Sequence, residues 1–104
     1  MSNEKYNCPI EAILDVVGGK WKALILWHLR ASTRRTGELK KLIPGITQKM
    51  LIQQLKVLES RGFIKRNVFA QVPPRVEYSL TESGKELKPI LKQMCKWGEK
   101  FMPT

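Results

Sequence analysis

The order of patterns between residues 36 and 80 constrains the fold of this chain more than any other feature. Thr36 can cap a helix that ends before Pro44, and Thr47 can cap a second helix that ends at Gly62. A turn of only two or three residues separates these helices. An alternating, β-prone segment follows, so this part of the chain is predicted to form two helices joined by a short turn and then a β-hairpin.

The second of these helices has two chemically different faces. At about 100° per residue, three leucines share one side of the helix and three long polar side chains share the opposite side. Glutamine and lysine on an outer face have the reach and the donors to contact base edges or phosphates in a major groove. The alternative is an ordinary solvated helix face. The leucines are Leu51, Leu55 and Leu58, and the polar residues are Lys49, Gln53 and Lys56.

The predicted hairpin has an unusually long tip. Its strands are residues 63–68 and 75–80, with the sequence FAQVPP between them. The two prolines lack amide donors, so the tip cannot continue the ladder of hydrogen bonds. Basic side chains on the strands are placed to reach phosphates or an adjacent minor groove, whereas the alternative for the two arginines is an ion pair with Glu77. These basic residues are Lys65, Arg66 and Arg75.

Two helices with a short turn, followed by a basic hairpin, are the elements of a winged helix. The fold class predicted from the sequence is therefore mainly α with a small β-hairpin (α+β), a winged helix-turn-helix. The chain length and the 42% of hydrophobic residues are enough for one core, so residues 1–104 are expected to form a single domain.

Positive charge is concentrated in the same part of the chain. Residues 20–75 contain thirteen Lys and Arg against two acids, a net charge of +11, whereas residues 1–19 carry −2 and residues 76–104 carry +1. This concentration favours a polyanionic partner, because each neutralised phosphate releases condensed counterions. An anionic membrane, an acidic protein and a solubilising surface are the alternatives. Three of these basic residues flank or enter the third helix of the chain, namely Arg34, Arg35 and Lys40.

Apolar helices are predicted on both sides of the central region. A short helix begins at Pro9 and stops at Gly18, and a strongly apolar helix spans Lys20 to Arg30. A last helix is capped by Thr81, and Pro89 kinks it or begins its main part. This helix carries more apolar residues than the core needs, so we expect the first and last helices to form a homodimer interface. The alternative is that its apolar stripe, which includes Cys95 as an expected core residue, packs on the second helix.

The sequence disfavours several other classes of protein. No apolar run approaches the about 20 residues of a membrane span, so a cytoplasmic protein without membrane contact is expected. Two cysteines and one histidine cannot supply four zinc ligands, and no metal or cofactor is expected. His28 stands alone on an apolar helix, while Glu11 and Asp15 are expected to be solvated or paired with lysines. The chain is therefore not expected to be an enzyme.

Three stretches resemble the HxlR-type winged-helix transcription regulators, which are MarR-like DNA-binding proteins. They are CPIEAILDVVGGKWKALILWHL, TGELKKLIPGITQKMLIQQLKVLESRGFIKR and VPPRVEYSLTESG, and the resemblance covers residues 8–98. It implies a homodimeric bacterial regulator, a repressor or an activator, that binds a pseudo-palindromic operator in double-stranded DNA. It gives no indication of the operator, the regulated genes or a small-molecule effector. A non-enzymatic winged-helix protein that binds RNA or protein through its basic face is the alternative.

On this basis we expect two groups of DNA-contacting residues. The helix placed in the major groove would contribute Thr47, Gln48, Lys49, Gln53 and Lys56. The wing and the neighbouring backbone contacts would come from Arg34, Arg35, Lys40, Lys65, Arg66 and Arg75.

Cys8 is a candidate redox residue. If Pro9 is the first residue of its helix, Cys8 is the cap residue, and the positive end of the helix favours the thiolate. Some members of the resembled family sense oxidants or electrophiles through a cysteine at this position. The alternative is a small, buried cap residue without reactivity.

Overall fold

The computed structural model describes residues 5–103 of the chain. The elements follow the predicted order, with four helices, a two-stranded antiparallel hairpin, two further helices and a short 3-10 turn. They are α1 (Pro9–Val17), α2 (Lys22–Ala31), α3 (Thr36–Leu42), α4 (Gln48–Ser60), β1 (Ile64–Phe69), β2 (Arg75–Leu80), α5 (Glu82–Lys85), α6 (Lys88–Gly98) and η1 (Glu99–Phe101). The predicted winged helix-turn-helix is confirmed.

Two helix starts differ from the prediction. The helix predicted to be capped by Thr36 begins at that residue, and Arg35 occupies the cap position, where its backbone N–H donates to Oε1 of Glu38 at 2.8 Å. The prediction was wrong by one position because a glutamate three residues into a helix can satisfy the cap amide by itself. The second helix begins at Lys22 rather than at Lys20, because a turn that starts at Gly19, with φ of +79°, occupies the intervening residues.

The last predicted helix is divided into two. Thr81 caps α5, since its side-chain oxygen accepts the N–H of Gly84 at 3.1 Å. The α5 helix ends after one turn, and Pro89 lies in the first turn of α6. Of the two outcomes predicted for this proline, the structure shows that it begins the main part of the helix, where its missing N–H needs no partner.

The core forms where α2, α3 and α4 meet. The leucine face of α4 is completely buried, with Leu51, Leu55 and Leu58 each at most 1% exposed. These side chains contribute to one apolar cluster with Ile25 and Leu26 of α2. Burying each such side chain stabilises the fold by about 1.5–3 kcal/mol. Because the leucines fix the inner face, the polar side chains of α4 point away from the core.

The hairpin is fastened to the helices at its base. Its register runs from Ile64 opposite Leu80 to Phe69 opposite Arg75. The backbone of Tyr78 in β2 also exchanges two hydrogen bonds with the backbone of Arg34, at 3.0 and 2.8 Å. A Cβ at Gly84 would lie 2.1 Å from the carbonyl oxygen of Phe63, so the chain after the hairpin approaches its base too closely for any larger residue.

The outer sides of α1 and α6 remain apolar and exposed in the single chain. Leu87 and Leu91 face the core, at 7% and 3% exposed, so the alternative in which the whole stripe packs on α2 holds only for these two residues. Cys95 is exposed, and the prediction that it belongs to the core was therefore wrong. It was wrong because the surface of α2 that α6 covers accommodates only a narrow part of the stripe. The exposed apolar residues include Ile10, Leu14, Ile90, Met94, Trp97, Phe101 and Met102.

Candidate nucleic-acid interface

The α4 helix presents the predicted polar residues to solvent. Thr47 caps it, with its side-chain oxygen accepting the N–H of Met50 at 3.1 Å. This bond fixes the first turn, where a helix lying in a groove contacts the bases. Beyond the cap, the four predicted residues Gln48, Lys49, Gln53 and Lys56 are all exposed. All of these residues therefore lie on one accessible helix, as predicted.

The basic residues near α3 divide into exposed and engaged side chains. Arg35 and Lys40 are exposed. Arg34 is half-buried, and its Nε donates to the carbonyl oxygen of His28 at 3.3 Å. Its backbone also pairs with Tyr78. Arg34 therefore fastens the hairpin to α2 in addition to carrying charge.

The three basic residues of the hairpin have different surroundings. Arg66 is exposed, whereas Arg75 is half-buried, with its guanidinium 4.4 Å from the ring centroid of Phe69 and its Nε 3.3 Å from Oε2 of Glu77. The ion pair with Glu77 is thus present for Arg75, while no such pair forms for Arg66 among the described residues. Lys65 is exposed but neighbours Arg66 on the strand, so the two side chains point to opposite faces of the hairpin.

A cluster around Asp15 was not predicted. Arg61, just beyond the end of α4, donates from one guanidinium nitrogen to Oδ2 of Asp15 and from the other to its carbonyl oxygen, both at 2.6 Å. The hydroxyl of Tyr6 donates to Oδ2 at 2.6 Å, Nζ of Lys5 lies 3.2 Å from the same atom, and Nζ of Lys22 donates to the carbonyl oxygen. The cluster joins α1 to the C-terminal end of α4, so Arg61 serves the fold rather than an open basic surface.

Glu11, one turn before Asp15 on α1, has a different role from the one predicted. Glu11 was expected to be solvated or paired with a lysine, yet its Oε1 accepts the backbone N–H groups of Asn7 and Cys8, at 2.5 and 3.3 Å. It caps α1. Lys5 is the lysine that was expected near Asp15. Arg61, which is distant in the sequence, lies closer to the carboxylate in space.

These donors make the Asp15 cluster sensitive to acid. The Tyr6 hydroxyl, the Arg61 guanidinium and the Lys5 ammonium hold the pKa of Asp15 well below its usual range, and the same pairing raises the pKa of Arg61. A carboxyl whose pKa is lowered by folding stabilises the folded state above its unfolded pKa of about 4, and this contribution is lost as the pH falls through the folded value.

We expect Asp15→Asn to lower the melting temperature at pH 7 and to differ less from the wild type as the pH is lowered below about 4. Thermal unfolding followed by circular dichroism at pH 7, 5, 4 and 3, about the range over which a carboxyl titrates, measures this. The control is Glu82→Gln, which removes an exposed pair with Lys85 at 3.6 Å and should have little effect at any pH. A deficit in Asp15→Asn that stays the same at every pH would contradict the assignment.

Cys8 occupies the cap position of α1, as predicted, with Pro9 as the first helical residue. Its thiol is exposed, so the cap residue is not buried as the alternative assumed, and its reactivity stays a prediction. Glu11 already accepts the N–H of Cys8, so the carboxylate shares the positive end of the helix with the sulfur. The thiol is thus accessible to reagents in solution.

His28 lies half-buried on α2. Burial lowers its pKa, and the nearby charges of Arg34 and Arg30 lower it further. Both effects favour the neutral form of the ring. Within residues 5–103, no group of three or more His, Cys, Asp or Glu side chains is placed to hold a metal ion. None of the helices in that range has the length and apolar character needed to cross a membrane.

An exposed polar helix following a short turn, with a basic hairpin at its side, defines the winged helix-turn-helix class of DNA-binding transcriptional regulators. Comparison with known proteins narrows the class. Residues 16–104 match the family described as HxlR-like helix-turn-helix. The chain belongs to this family, and the family resemblance seen in its sequence is confirmed.

Individual relatives agree with this assignment. The chain is 56% identical over 98 residues to the HTH-type transcriptional regulator YtcD of Bacillus subtilis, covering 94% of this chain and 78% of YtcD. The redox regulator HypR in its oxidized form is 48% identical with a TM-score of 0.88, covering 93% of this chain and 100% of that one. The reduced form of the regulator YodB from B. subtilis is 35% identical with a TM-score of 0.78, covering 92% and 95% of the two chains. The protein is a DNA-binding transcriptional regulator.

Proposed function

We propose that the protein binds a pseudo-palindromic operator as a homodimer, with α4 of each copy in a major groove and each hairpin beside it on the DNA backbone. The observation that carries this proposal is the division of α4 into a buried leucine face and an exposed face of glutamines and lysines. Two such helices related by two-fold symmetry would meet half-sites about 34 Å apart, or a multiple of that distance.

The proposed dimer is supported by the exposed apolar residues of α1 and α6. Ile10 and Leu14 lie one turn apart on α1, and they are 61% and 56% exposed. On α6, Ile90, Met94 and Trp97 recur at helical spacing and are 43%, 46% and 62% exposed. Exposed apolar residues of this kind are stabilised when they are buried against another chain. An identical copy can be that chain, because a two-fold interface brings the same surface of both copies together.

Selection of bound sequences from a random duplex library, followed by salt-dependent titration, tests the DNA proposal. The selected site should bind about 1,000-fold or more tightly than random duplex and should contain two related half-sites. Equal affinity for every duplex would contradict sequence-specific binding. Tighter binding to single-stranded RNA than to the selected duplex would favour the alternative of an RNA-binding protein.

Within this proposal, base-reading and backbone contacts have different signatures. Gln53→Ala should change which base is preferred at one position of each half-site, because an exposed glutamine can pair with adenine in the major groove. Arg66→Ala should weaken binding to all sequences. It should also reduce the slope of the logarithm of the binding constant against the logarithm of the salt concentration, by about one for each phosphate that is no longer neutralised. Arg66 suits the test better than Arg75, whose charge is already paired with Glu77.

Fluorescence polarisation with the selected duplex and with single-base variants of it distinguishes the two effects. Glu59→Gln, an exposed change on α4 outside the proposed contacts, is the control and should keep the wild-type sequence preference. If Arg66→Ala altered the base preference while Gln53→Ala altered only the salt slope, the assigned roles would be reversed.

The regulator is further proposed to respond to thiol-reactive compounds through Cys8. The support is an exposed thiol at the beginning of α1, one turn or less from the apolar residue Ile10 of the proposed dimer surface. A modification there would alter how the two copies meet. The solved relatives include HypR in oxidized and reduced forms and YodB after diamide treatment.

We expect diamide to change the affinity of the wild-type protein for its operator by about tenfold or more, equivalent to about 1.4 kcal/mol, and to leave Cys8→Ser unchanged. The matched control is Cys95→Ser, which removes the other exposed thiol and should keep the diamide response. A full response in Cys8→Ser would rule out Cys8 as the sensor, and loss of the response in Cys95→Ser would show that a second thiol is required.

The proposal uses no catalytic group, metal or cofactor. A regulator of this kind acts where the chromosomal DNA lies, so the proposed location is the cytoplasm. Residues 1–104 would act as one DNA-binding unit.

A further inference from the structure

A groove lies between α2 and α6. It has a volume of about 770 Å³, which is within the range of about 300–1,000 Å³ typical of small-molecule sites. No residue from the two groups of proposed DNA contacts lines it. The lining residues that matter here are Trp27, Arg30, Lys88, Lys92, Lys96 and Glu99.

Arg30 lies over the ring of Trp27 in this groove. Its guanidinium lies 3.5 Å from the ring centroid of Trp27. Stacking occupies one face of a guanidinium and leaves the N–H donors free in its plane. None of the carboxylates in the described part of the chain pairs with Arg30, whereas Arg61 and Arg75 pair with acids. A planar fork of donors, fixed by stacking and without an acceptor, matches a carboxylate or a phosphate.

The α6 wall of the groove adds three further positive charges. Lys88, Lys92 and Lys96 are spaced four residues apart, so they lie on one side of the helix at intervals of about 6 Å. Like charges at this spacing repel each other, by about 0.2–0.5 kcal/mol per pair. None of the three lysines forms an ion pair within residues 5–103, and the one acid of the groove, Glu99, offsets a single charge. A bound anion would relieve this repulsion.

We propose that the groove between α2 and α6 binds a small organic anion, whose carboxylate or phosphate group is held by Arg30 and whose remaining charge lies along the lysines of α6. The stacked pair of Arg30 and Trp27 supplies orientation, and the lysines supply attraction at longer range. None of the proposed DNA contacts lines this groove, although Arg30 and Lys88 also line an adjoining cavity with Lys65 of the hairpin. The two proposals rest on different residues, so failure of either one leaves the other standing.

Calorimetric titration with pyrophosphate and with citrate, at constant ionic strength, tests the proposal on the full chain. We expect one saturable site per chain with a dissociation constant of about 1 mM or lower for at least one probe. Arg30→Gln should weaken that binding by about tenfold or more, and Lys92→Gln should weaken it in the same direction. Lys100→Gln removes the same charge outside the groove and should change the affinity by less than about twofold. Preference for pyrophosphate would indicate a phosphate ligand, and preference for citrate a carboxylate ligand.

Cys95 provides an independent readout because it also lines the groove. In a Cys8→Ser background, a probe at a concentration near its dissociation constant should slow alkylation of Cys95 by a neutral reagent, and Arg30→Gln should remove most of this protection at the same concentration. Equal weakening by Arg30→Gln and Lys100→Gln would show diffuse charge attraction and overturn the proposal. Protection of Cys95 by random duplex DNA, but by neither small anion, would also overturn it and would place DNA in the groove.

Discussion

Trp97→Glu should weaken binding to a two-half-site operator by about 100-fold or more, because a separated chain loses the effective concentration that links the two half-sites. Trp97 is 62% exposed, and its ring centroid lies 4.7 Å from that of Phe101 on the exposed side of α6. A carboxylate there is solvated in the single chain but would be buried without a partner in the proposed interface. Sedimentation analysis and DNA titration with one and two half-sites measure both parts of the effect.

The control for this variant is Ser83→Glu, which adds the same charge at an exposed position of α5. It should remain dimeric and bind the operator with an affinity close to that of the wild type. Circular dichroism should show that both variants are folded. If Trp97→Glu sedimented as a dimer with unchanged affinity, the apolar side of α6 would not be the interface.

Leu55→Ala should lower the free energy of unfolding by about 2–5 kcal/mol, because the removed methyl groups leave a cavity between α4 and the rest of the core. Leu55 is 1% exposed and belongs to the leucine face of α4. Loss of this much stability is a large share of the about 5–15 kcal/mol that holds a typical domain folded. Denaturant unfolding at one fixed protein concentration is the measurement, since the proposed dimerisation would make stability depend on concentration.

Val57→Ala, two residues further along α4, is the matched control. Val57 is 39% exposed, and its truncation should cost less than about 1 kcal/mol. If the two variants were equally destabilised, the leucine face of α4 would not be the inner face of the helix.

The elements that the sequence predicted well are those defined by short-range patterns. The cap at Thr47 and the left-handed glycine at Gly62 depend on neighbours within a few residues, and both agree with the structure. Pro89 likewise begins α6 because of its own missing N–H. The start of α3 was missed by one residue because two cap arrangements, one through Thr36 and one through Glu38, compete within the same turn.

The candidate site was predicted in part. The exposed face of α4 follows from helical periodicity, so its polar residues could be identified from the order of the amino acids alone. The exposure of Cys95 could not be predicted, because an apolar stripe on a helix gives no indication of how much of it the neighbouring helix covers. The stacking of Arg30 on Trp27 is a contact within α2, but the groove beside it exists only where α6 crosses.

By itself, the sequence determined the order of the helices and strands, the inner and outer faces of α4, and a surplus of positive charge between residues 20 and 75. Only the tertiary structure decided which of these basic side chains pair with acids and which remain exposed. Arg61 forms an ion pair with Asp15, which lies 46 residues earlier in the chain, and Arg75 forms one with Glu77. Arg66 remains exposed. The physical reason is that a net charge counts every arginine equally, while the partner of each guanidinium depends on which carboxylate the folded chain brings within a few ångströms of it.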